Sequence, residues 1–459
     1  MTTTVRNFRQ TARIALDDIR LQNALDGATG RFRKERDQAL QELPDAEALR
    51  DHFKVVRDAT LADLGAHLRE FESNALKAGA HVHWASDAAA AREVILAIAR
   101  RNGVRKIVKS KSMAAEEIEL NAALEGAGFE VIETDLGERI VQLAGEPPSH
   151  IIAPAIHKTK EQVAELFQAE SGEPAPAEIQ ALTEIARRRL RQVFLQADLG
   201  ISGGNLAVAE TGSLVLVSNE GNARMVTSLP RIHIALIGIE KIAPTWDAAA
   251  VWLSLLARSA TGQPLSIYTS ILTGPRRPDD VDGPEEVHIV LLDNGRSRLV
   301  GTKFEEALQC IRCGACLNAC PVYREAGGHA YASPYSGPIG AVISPLLFGL
   351  KEYEALPHAS TLCGACLEVC PVRIDLPRML IALRQASVSV GLPSGNEVRA
   401  FRSAAWILAK PARLKWVRWL LRVLQTPFKR GSRVLILGFN LPALAATPFR
   451  NWQRKHGRR

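Results

Sequence analysis

The sequence predicts an α/β domain with a largely parallel sheet, preceded by helices and followed by a short cysteine-rich segment and a basic helical tail. Three observations lead there. Short apolar runs alternate with helical periods between residues 81 and 295. All seven cysteines fall between Cys310 and Cys370. From Gly391 onward 15 Lys and Arg face a single acid, Glu397, and subtracting that +14 from the chain's +8 leaves −6 for residues 1–390. A chain of 459 residues exceeds one small core, so several domains are expected. Their boundaries are set at 1–80, 81–298, 299–390 and 391–459. Hydrophobic residues make up 47% and Gly and Pro are ordinary in number, which excludes a disordered, collagenous or multi-spanning chain.

Residues 1–80 read as helical. Leu49, Phe53, Val56, Leu61, Leu64, Leu68 and Phe71 recur every three to five positions and make one apolar face. Strands are then expected at Lys106–Val108, Phe129–Glu133, Ile151–Ala153, Leu214–Val217, Ile232–Ile237 and Val287–Leu292. Helical periods at Ala88–Ala99 and Glu116–Leu124 flank the first of these. After the Gly172–Pro176 break, Glu178–Phe194 is a helix with Ile179, Leu182, Ile185, Leu190 and Val193 as its buried stripe. Glu210-Thr211-Gly212-Ser213 sits between two apolar runs and reads as a hairpin turn.

The cysteines carry the chemistry. Cys310-Ile-Arg-Cys313-Gly-Ala-Cys316-Leu-Asn-Ala-Cys320-Pro321 is C-x2-C-x2-C-x3-C-P. Ser360-Thr-Leu-Cys363-Gly-Ala-Cys366-Leu-Glu-Val-Cys370-Pro371 repeats the frame with serine in the first position. In such runs three closely spaced thiolates take corners of one iron–sulfur cubane, and the fourth crosses to the other. Cluster I is therefore assigned to Cys310, Cys313, Cys316 and Cys370, and cluster II to Cys320, Cys363 and Cys366. The fourth position of cluster II stays open between a 3Fe–4S centre and a 4Fe–4S centre with a non-cysteine ligand. Ser360 stands at that position but is a poor donor for a soft site. Zinc has no reason to use two proline-terminated runs. An odd cysteine count in one short stretch, without an amino-terminal apolar run, argues for a reducing cytoplasm rather than a secreted disulfide framework. Two linked clusters form a wire. No G-x-G-x-x-G or Walker A run supplies a redox cofactor site, so the electron donor or acceptor is expected on another subunit.

Polar and charged residues concentrate near strand ends, where α/β sheets open their ligand crevice. The pocket candidates are Lys109, Lys111, Ser112, Glu210, Thr211, Gly212, Asn219 and Glu220. Their alternative reading is as turns and caps. His150, His157 and His233 have no zinc spacing and read as structural. An acyl-transfer enzyme with structural clusters is the competing function, and Glu210 is its candidate nucleophile.

Lys109-Ser-Lys-Ser-Met113, Glu133-Thr-Asp-Leu-Gly-Glu138, Pro148-Ser-His150, Ala209-Glu-Thr-Gly-Ser213, Asn219-Glu-Gly-Asn-Ala-Arg224 and Gly238-Ile-Glu-Lys241 resemble the lactate-utilization (LUD) domain. With the two cysteine runs and the basic tail, nearly the whole chain resembles the lactate utilization protein B family. The resemblance implies a NagB/RpiA/CoA-transferase-like fold and two 4Fe–4S clusters. It also implies companion proteins A and C, with which L-lactate is oxidised to pyruvate. It names no catalytic residue for lactate, and the catalytic residues stay unknown.

The tail segment 397–424 interleaves Phe401, Trp406, Trp416, Trp419 and several leucines with Arg and Lys. That pattern fits a membrane surface, an acidic partner or the acidic body of the chain itself, and docking to partner or body is favoured over peripheral membrane contact. No nucleic-acid-reading element accompanies it. The apolar run Val434–Leu444 is too short, and too interrupted by Asn440 and Pro442, to span a bilayer as one helix.

Overall fold

The computed structural model describes residues 8–393, 395–425, 429–430, 433–436, 439–442, 444–445 and 447–456. Positions 437, 438 and 443 of the apolar run lie outside the described residues. By internal packing the chain divides into two units, Met1–Ser387 and Val388–Arg459.

The first unit opens with four helices, α1 (Phe8–Asp17), α2 (Ile19–Gln41), α3 (Ala46–Ala62) and α4 (Leu64–Lys77). Asp18 starts α2 by accepting the N–H of Arg20 and Leu21, the usual work of an N-cap carboxylate. The predicted stripe turns inward, with Phe53, Leu61, Leu64, Leu68 and Phe71 buried. Three arginines on these helices, Arg36, Arg50 and Arg57, are buried as well.

Ten strands follow: β1 (His81–Ala85), β2 (Lys106–Lys109), β3 (Glu130–Glu133), β4 (Leu199–Ser202), β5 (Leu206–Val208), β6 (Ser213–Ser218), β7 (Ile232–Gly238), β8 (Ile242–Ala243), β9 (Tyr268–Leu272) and β10 (Glu286–Leu292). Six form one sheet in the order β1-β10-β7-β4-β2-β3, and every pairing in it is parallel. β7 is buried along its whole length, as a central strand covered on both faces must be. Helices α5 (Ala88–Arg101), α6 (Met113–Glu117), α7 (Leu120–Gly126), α8 (Leu136–Ala144), α9 (Lys160–Ser171), α10 (Ile179–Leu195), α11 (Asn222–Ser228) and α12 (Trp246–Thr261) make the connections. Strand order reverses between β2 and β4, the switch point where such sheets open a crevice.

Two expectations change. The run Leu214–Val217 is a strand, but it belongs to a second sheet of order β8-β5-β6-β9, in which β5 and β6 form the antiparallel hairpin read at Glu210–Ser213. Ile151–Ala153 is not a strand. The imidazole Nδ1 of His150 accepts the N–H of Ile152 and Ala153, at 3.1 and 3.2 Å, and so takes the donors a ladder needs.

The cysteine segment contains α13 (Ala315–Ala319), α14 (Pro321–Ala326), α15 (Gly337–Phe348), α16 (Ala365–Glu368) and α17 (Leu376–Ser389). It is not a separate bead. Leu25 and Phe53 of the first helices, Trp252 of α12, and Cys313, Cys320, Cys366 and Cys370 share one hydrophobic core.

In the second unit, α18 (Gly395–Leu408) and α19 (Pro411–Gln425) bury none of their residues, and α20 is Phe449–His456. The described parts of the apolar run are strands β12 (Arg433–Ile436) and β13 (Phe439–Pro442), which join β11 (Lys429–Arg430) in an antiparallel sheet. Among the described residues no helix is long and apolar enough to cross a membrane.

Candidate iron–sulfur centre and adjoining cavity

The repeat seen in the sequence is also a repeat of backbone geometry. Arg312 and Leu362 both have positive φ, at 60° and 55°, and Gly314 and Gly364 follow at 77° and 87°. A non-glycine residue in that region is strained by about 1–3 kcal/mol, so something must hold it. The N–H of Arg312 donates to Cys310 Sγ at 3.4 Å, and the N–H of Leu362 donates to Ser360 Oγ at 3.1 Å. Ser360 therefore makes, in the second frame, the contact that Cys310 makes in the first.

The thiols of Cys310, Cys313, Cys316 and Cys370 line one chamber whose other walls are chiefly aliphatic. Ile374 N–H donates to Cys370 Sγ at 3.4 Å. Burial pushes the Cys313 thiol up to about 12 and that of Cys370 up to about 11. The donor set fits an iron–sulfur cluster: four soft ligands, N–H bonds to sulfur, and no carboxylate or imidazole in the wall. Cys320, Cys363 and Cys366 form the other group. Burial and its two neighbours raise the Cys366 thiol to about 12, while Cys363 is exposed.

The amino-terminal arginines clamp these loops. Arg36 donates to Val369 O at 2.9 Å and Arg50 to Cys370 O at 2.8 Å. Arg57 donates to the carbonyls of Ile242, Glu240 and Leu308 at 2.8, 2.7 and 3.1 Å. Lys241, after β7, reaches Cys310 O at 2.7 Å. Sequence reasoning missed the three arginines and read Lys241 only as part of the Gly238–Lys241 motif. An arginine on an amphipathic helix looks like a solvent-facing one until its partner, 183 to 333 residues away, is known.

Beside the cluster loop, at the carboxyl ends of β2, β4 and β7, lies a cavity of about 310 Å³. Lys111, Ser112, Asn219 and Glu220 line it, together with Lys241, Arg296, Arg312 and Cys313. The other pocket candidates stand elsewhere. Lys109 is fully buried 2.7 Å from Glu133, and although burial opposes its charge, the surrounding carboxylates hold it protonated. Glu210, Thr211 and Gly212 form the β5–β6 turn against α4, where a Cβ on Gly212 would lie 2.2 Å from the Ala75 nitrogen. Glu210 Oε1 accepts the N–H of Trp246 at the start of α12, so the carboxylate suggested for acyl transfer serves as a helix cap outside the cavity.

Buried charge concentrates on the cavity wall. Arg296 makes a two-pronged bond to Glu117, 2.7 Å to each oxygen, and donates Nε to Glu240 Oε2 at 2.6 Å. Tyr335 donates its hydroxyl to Glu117 at 2.5 Å. Burial opposes ionisation of Glu240, but Arg296, Lys241 and Arg312 together hold its carboxyl down to about 2. Gly238 is required here, because a Cβ would lie 2.2 Å from Glu240 Oε2 and 2.8 Å from Arg296 Nε. Burial drives His150 down to about 3 and His233 down to about 4. His150 bonds Asn318 at 3.1 Å and His233 bonds Ser202 at 2.8 Å. His157 pairs with Glu146 at 2.7 Å, and the His329 ring meets it edge-on at 4.5 Å.

Comparisons with known proteins agree with this layout. Residues 68–292 match the LUD domain and residues 306–374 the 4Fe-4S dicluster domain. An uncharacterized electron transport protein, YkgF, from Escherichia coli (strain K12) is 43% identical, covering 98% of this chain and 97% of its own. Lactate utilization protein B from Shouchella clausii (strain KSM-K16) is 44% identical over 97% of this chain and 96% of its own. The protein of that name from Geobacillus sp. (strain WCH70) is 49% identical over 83% and 81%.

Proposed function

The chain belongs to the lactate utilization protein B family, and from that premise we propose that it is the iron–sulfur electron-transfer subunit of a complex oxidising L-lactate to pyruvate. The observation that carries the reading is the four-thiol chamber walled off by aliphatic side chains and adjoining a ligand-sized cavity. Conversion of lactate to pyruvate releases two electrons and two protons, and bound iron–sulfur clusters supply one-electron carriers for them. Cys310, Cys313, Cys316 and Cys370 would hold one 4Fe–4S cluster. Cys320, Cys363 and Cys366 would hold the second, its fourth position left to Ser360, another non-cysteine ligand or a 3Fe–4S form.

The rest of the work belongs to protein groups. Backbone N–H groups of Arg312 and Ile374 donate to thiolate sulfur, which stabilises negative charge there. Arg36, Arg50 and Lys241 fix the loop carbonyls and bring positive charge close to the thiolates. The aliphatic wall excludes water. Companion proteins A and C complete the assembly in the cytoplasm, and the exposed aromatic and basic faces of α18 and α19 offer the surface for docking a partner.

Anaerobic reconstitution followed by iron and sulfide analysis tests the assignment, with EPR recorded during an L-lactate titration. Two reduced cluster signals are expected when the companions are present. A reconstituted chain that retains neither iron nor sulfide refutes the reading.

A further inference from the structure

We infer that the cavity beside the cluster loop is the binding site for a small 2-hydroxy- or 2-oxo-carboxylate, its anionic oxygens taking the N–H groups of Arg312 Nη1 and Lys111 Nζ. This chain then presents the substrate itself, rather than only relaying electrons from a companion that holds it. The inference rests on the lactate reading for the identity of the anion, but not for the existence of the site.

Four observations converge. The first is position: the cavity opens where the strand order of the parallel sheet reverses, and its wall includes the Arg312–Cys313 stretch of the cluster loop. The second is unmet hydrogen bonding. Arg312 is 9% exposed, and among the described residues its buried Nη1 has no hydrogen-bond partner, nor has the buried Nζ of Lys111. Buried donors are almost always paired, so two unpaired ones on one cavity call for an acceptor.

The third is the state of the lining carboxylates, which are already engaged. Asp135 Oδ1 accepts the N–H of Glu138 at 3.1 Å, and Glu220 Oε2 accepts the N–H of Leu136 at 3.0 Å. Glu240 Oε2 takes Arg296, and its Oε1 stays 3.8 Å from Arg312 Nη2. Lys111 Nζ lies 4.0 Å from Glu138 Oε1, beyond hydrogen-bond reach, and that oxygen stands behind the cavity lining rather than in it. Among the described residues that line the cavity, the buried side-chain atoms left without a partner are these two donors, which favours an anion between them. The fourth is size, since about 310 Å³ lies at the small end of ligand pockets and suits a small acid better than a nucleotide.

Arg312 joins the two sites in one residue. Its backbone N–H bonds Cys310 Sγ, while its guanidinium lies 4.4 Å above the Tyr335 ring and lines the cavity. A ligand that moves the guanidinium therefore changes the surroundings of a cluster thiol.

The test uses the full chain, reconstituted anaerobically and assayed for iron and sulfide. Binding of L-lactate, pyruvate and inorganic phosphate is measured by calorimetry without companion proteins, and EPR of the reduced chain is recorded with and without L-lactate. Saturable binding of L-lactate or pyruvate is expected, weakened at least about tenfold in Lys111→Met and in Arg312→Gln at unchanged iron content. A shift in the EPR signal on adding lactate is expected in the parent and should be lost in Lys111→Met, a substitution outside the cysteine loops. Absence of saturable lactate or pyruvate binding to iron-loaded chain overturns the site while leaving the electron-transfer reading intact. Tighter binding of phosphate than of either acid also overturns it, as does parent-like affinity in both variants. A chain without iron defeats the electron-transfer reading whatever it binds.

Discussion

Replacing Arg296 with Met probes the buried charge network directly. Arg296, Glu117 and Glu240 have side chains no more than 2% exposed, so solvent cannot compensate for a missing partner. The Glu240 carboxyl is held to about 2 against an ordinary 4.5. Its folded-state value is depressed, so its contribution to stability is fully present above pH 4.5 and is lost as pH falls through 2. At 1.36 kcal/mol per unit, that difference amounts to roughly 3 kcal/mol. Removing one partner of a buried ion pair costs about 3–5 kcal/mol by a separate route, because the abandoned charge stays desolvated. Arg296→Met is therefore expected to lose roughly 3–5 kcal/mol in anaerobic urea unfolding followed by tryptophan fluorescence. The deficit should shrink towards pH 4, since protonation then relieves the carboxylates that have lost Arg296, their largest stabilising charge. Replacing Glu117 and Glu240 with Gln alongside Arg296→Met should recover much of the loss. A single variant that loses less than about 1 kcal/mol, or a triple variant less stable than the single, would falsify the argument.

Three further outcomes follow from geometry already described. His233 is buried with its imidazole near 4 against an ordinary 6.5, so the folded state resists protonation. Its contribution should decline by roughly 3 kcal/mol as pH falls from 6.5 to 4, and urea midpoints of His233→Gln should lack that part of the acid slope. A Cβ on Gly200 would lie 1.9 Å from the Val226 carbonyl oxygen, so Gly200→Ala must push α11 off the sheet. It should cost about 1–3 kcal/mol, whereas Gly103→Ala, at an open turn with φ 61°, should cost about 1 kcal/mol from backbone strain alone. Arg50→Met removes the donor to Cys370 O and frees the loop that carries the fourth thiol of the chamber. Loss of visible cluster absorbance to a chelator should be several-fold faster than in the parent. An equal rate would show that the clamp does not restrain the loop.

Much of this was legible because it is local. The two cysteine frames announce themselves through spacing, since most ligands of one cluster come from one short loop and the last crosses over from the other. The parallel strands β2, β3, β7 and β10 read as apolar runs because both faces are covered. Strand β1 escaped notice: at the sheet edge, its His81 and Trp84 are exposed and its neighbours only half-buried. Ile151–Ala153 looked like a strand because apolar content does not reveal that His150 takes its N–H groups. The cavity was legible only in part. Lys111, Ser112, Asn219 and Glu220 stand out as polar residues near strand ends, but Lys241, Arg296 and Arg312 enter from segments that meet only through the sheet topology. Lys109 shows the converse, a polar residue at a strand end that is consumed by an ion pair.

The arginine clamp also sets an order of events during synthesis. Arg36 and Arg50 bond carbonyls 333 and 320 residues further along. At roughly 5–20 residues per second, the helices that carry them leave the ribosome about 20–60 s before Val369 and Cys370 exist. Through that interval Arg36 and Arg50 lack the carbonyls that they bond in the folded chain. The loop that carries Cys370 therefore gains its two amino-terminal donors only after the second cysteine run has been made, and its final conformation is set late in synthesis.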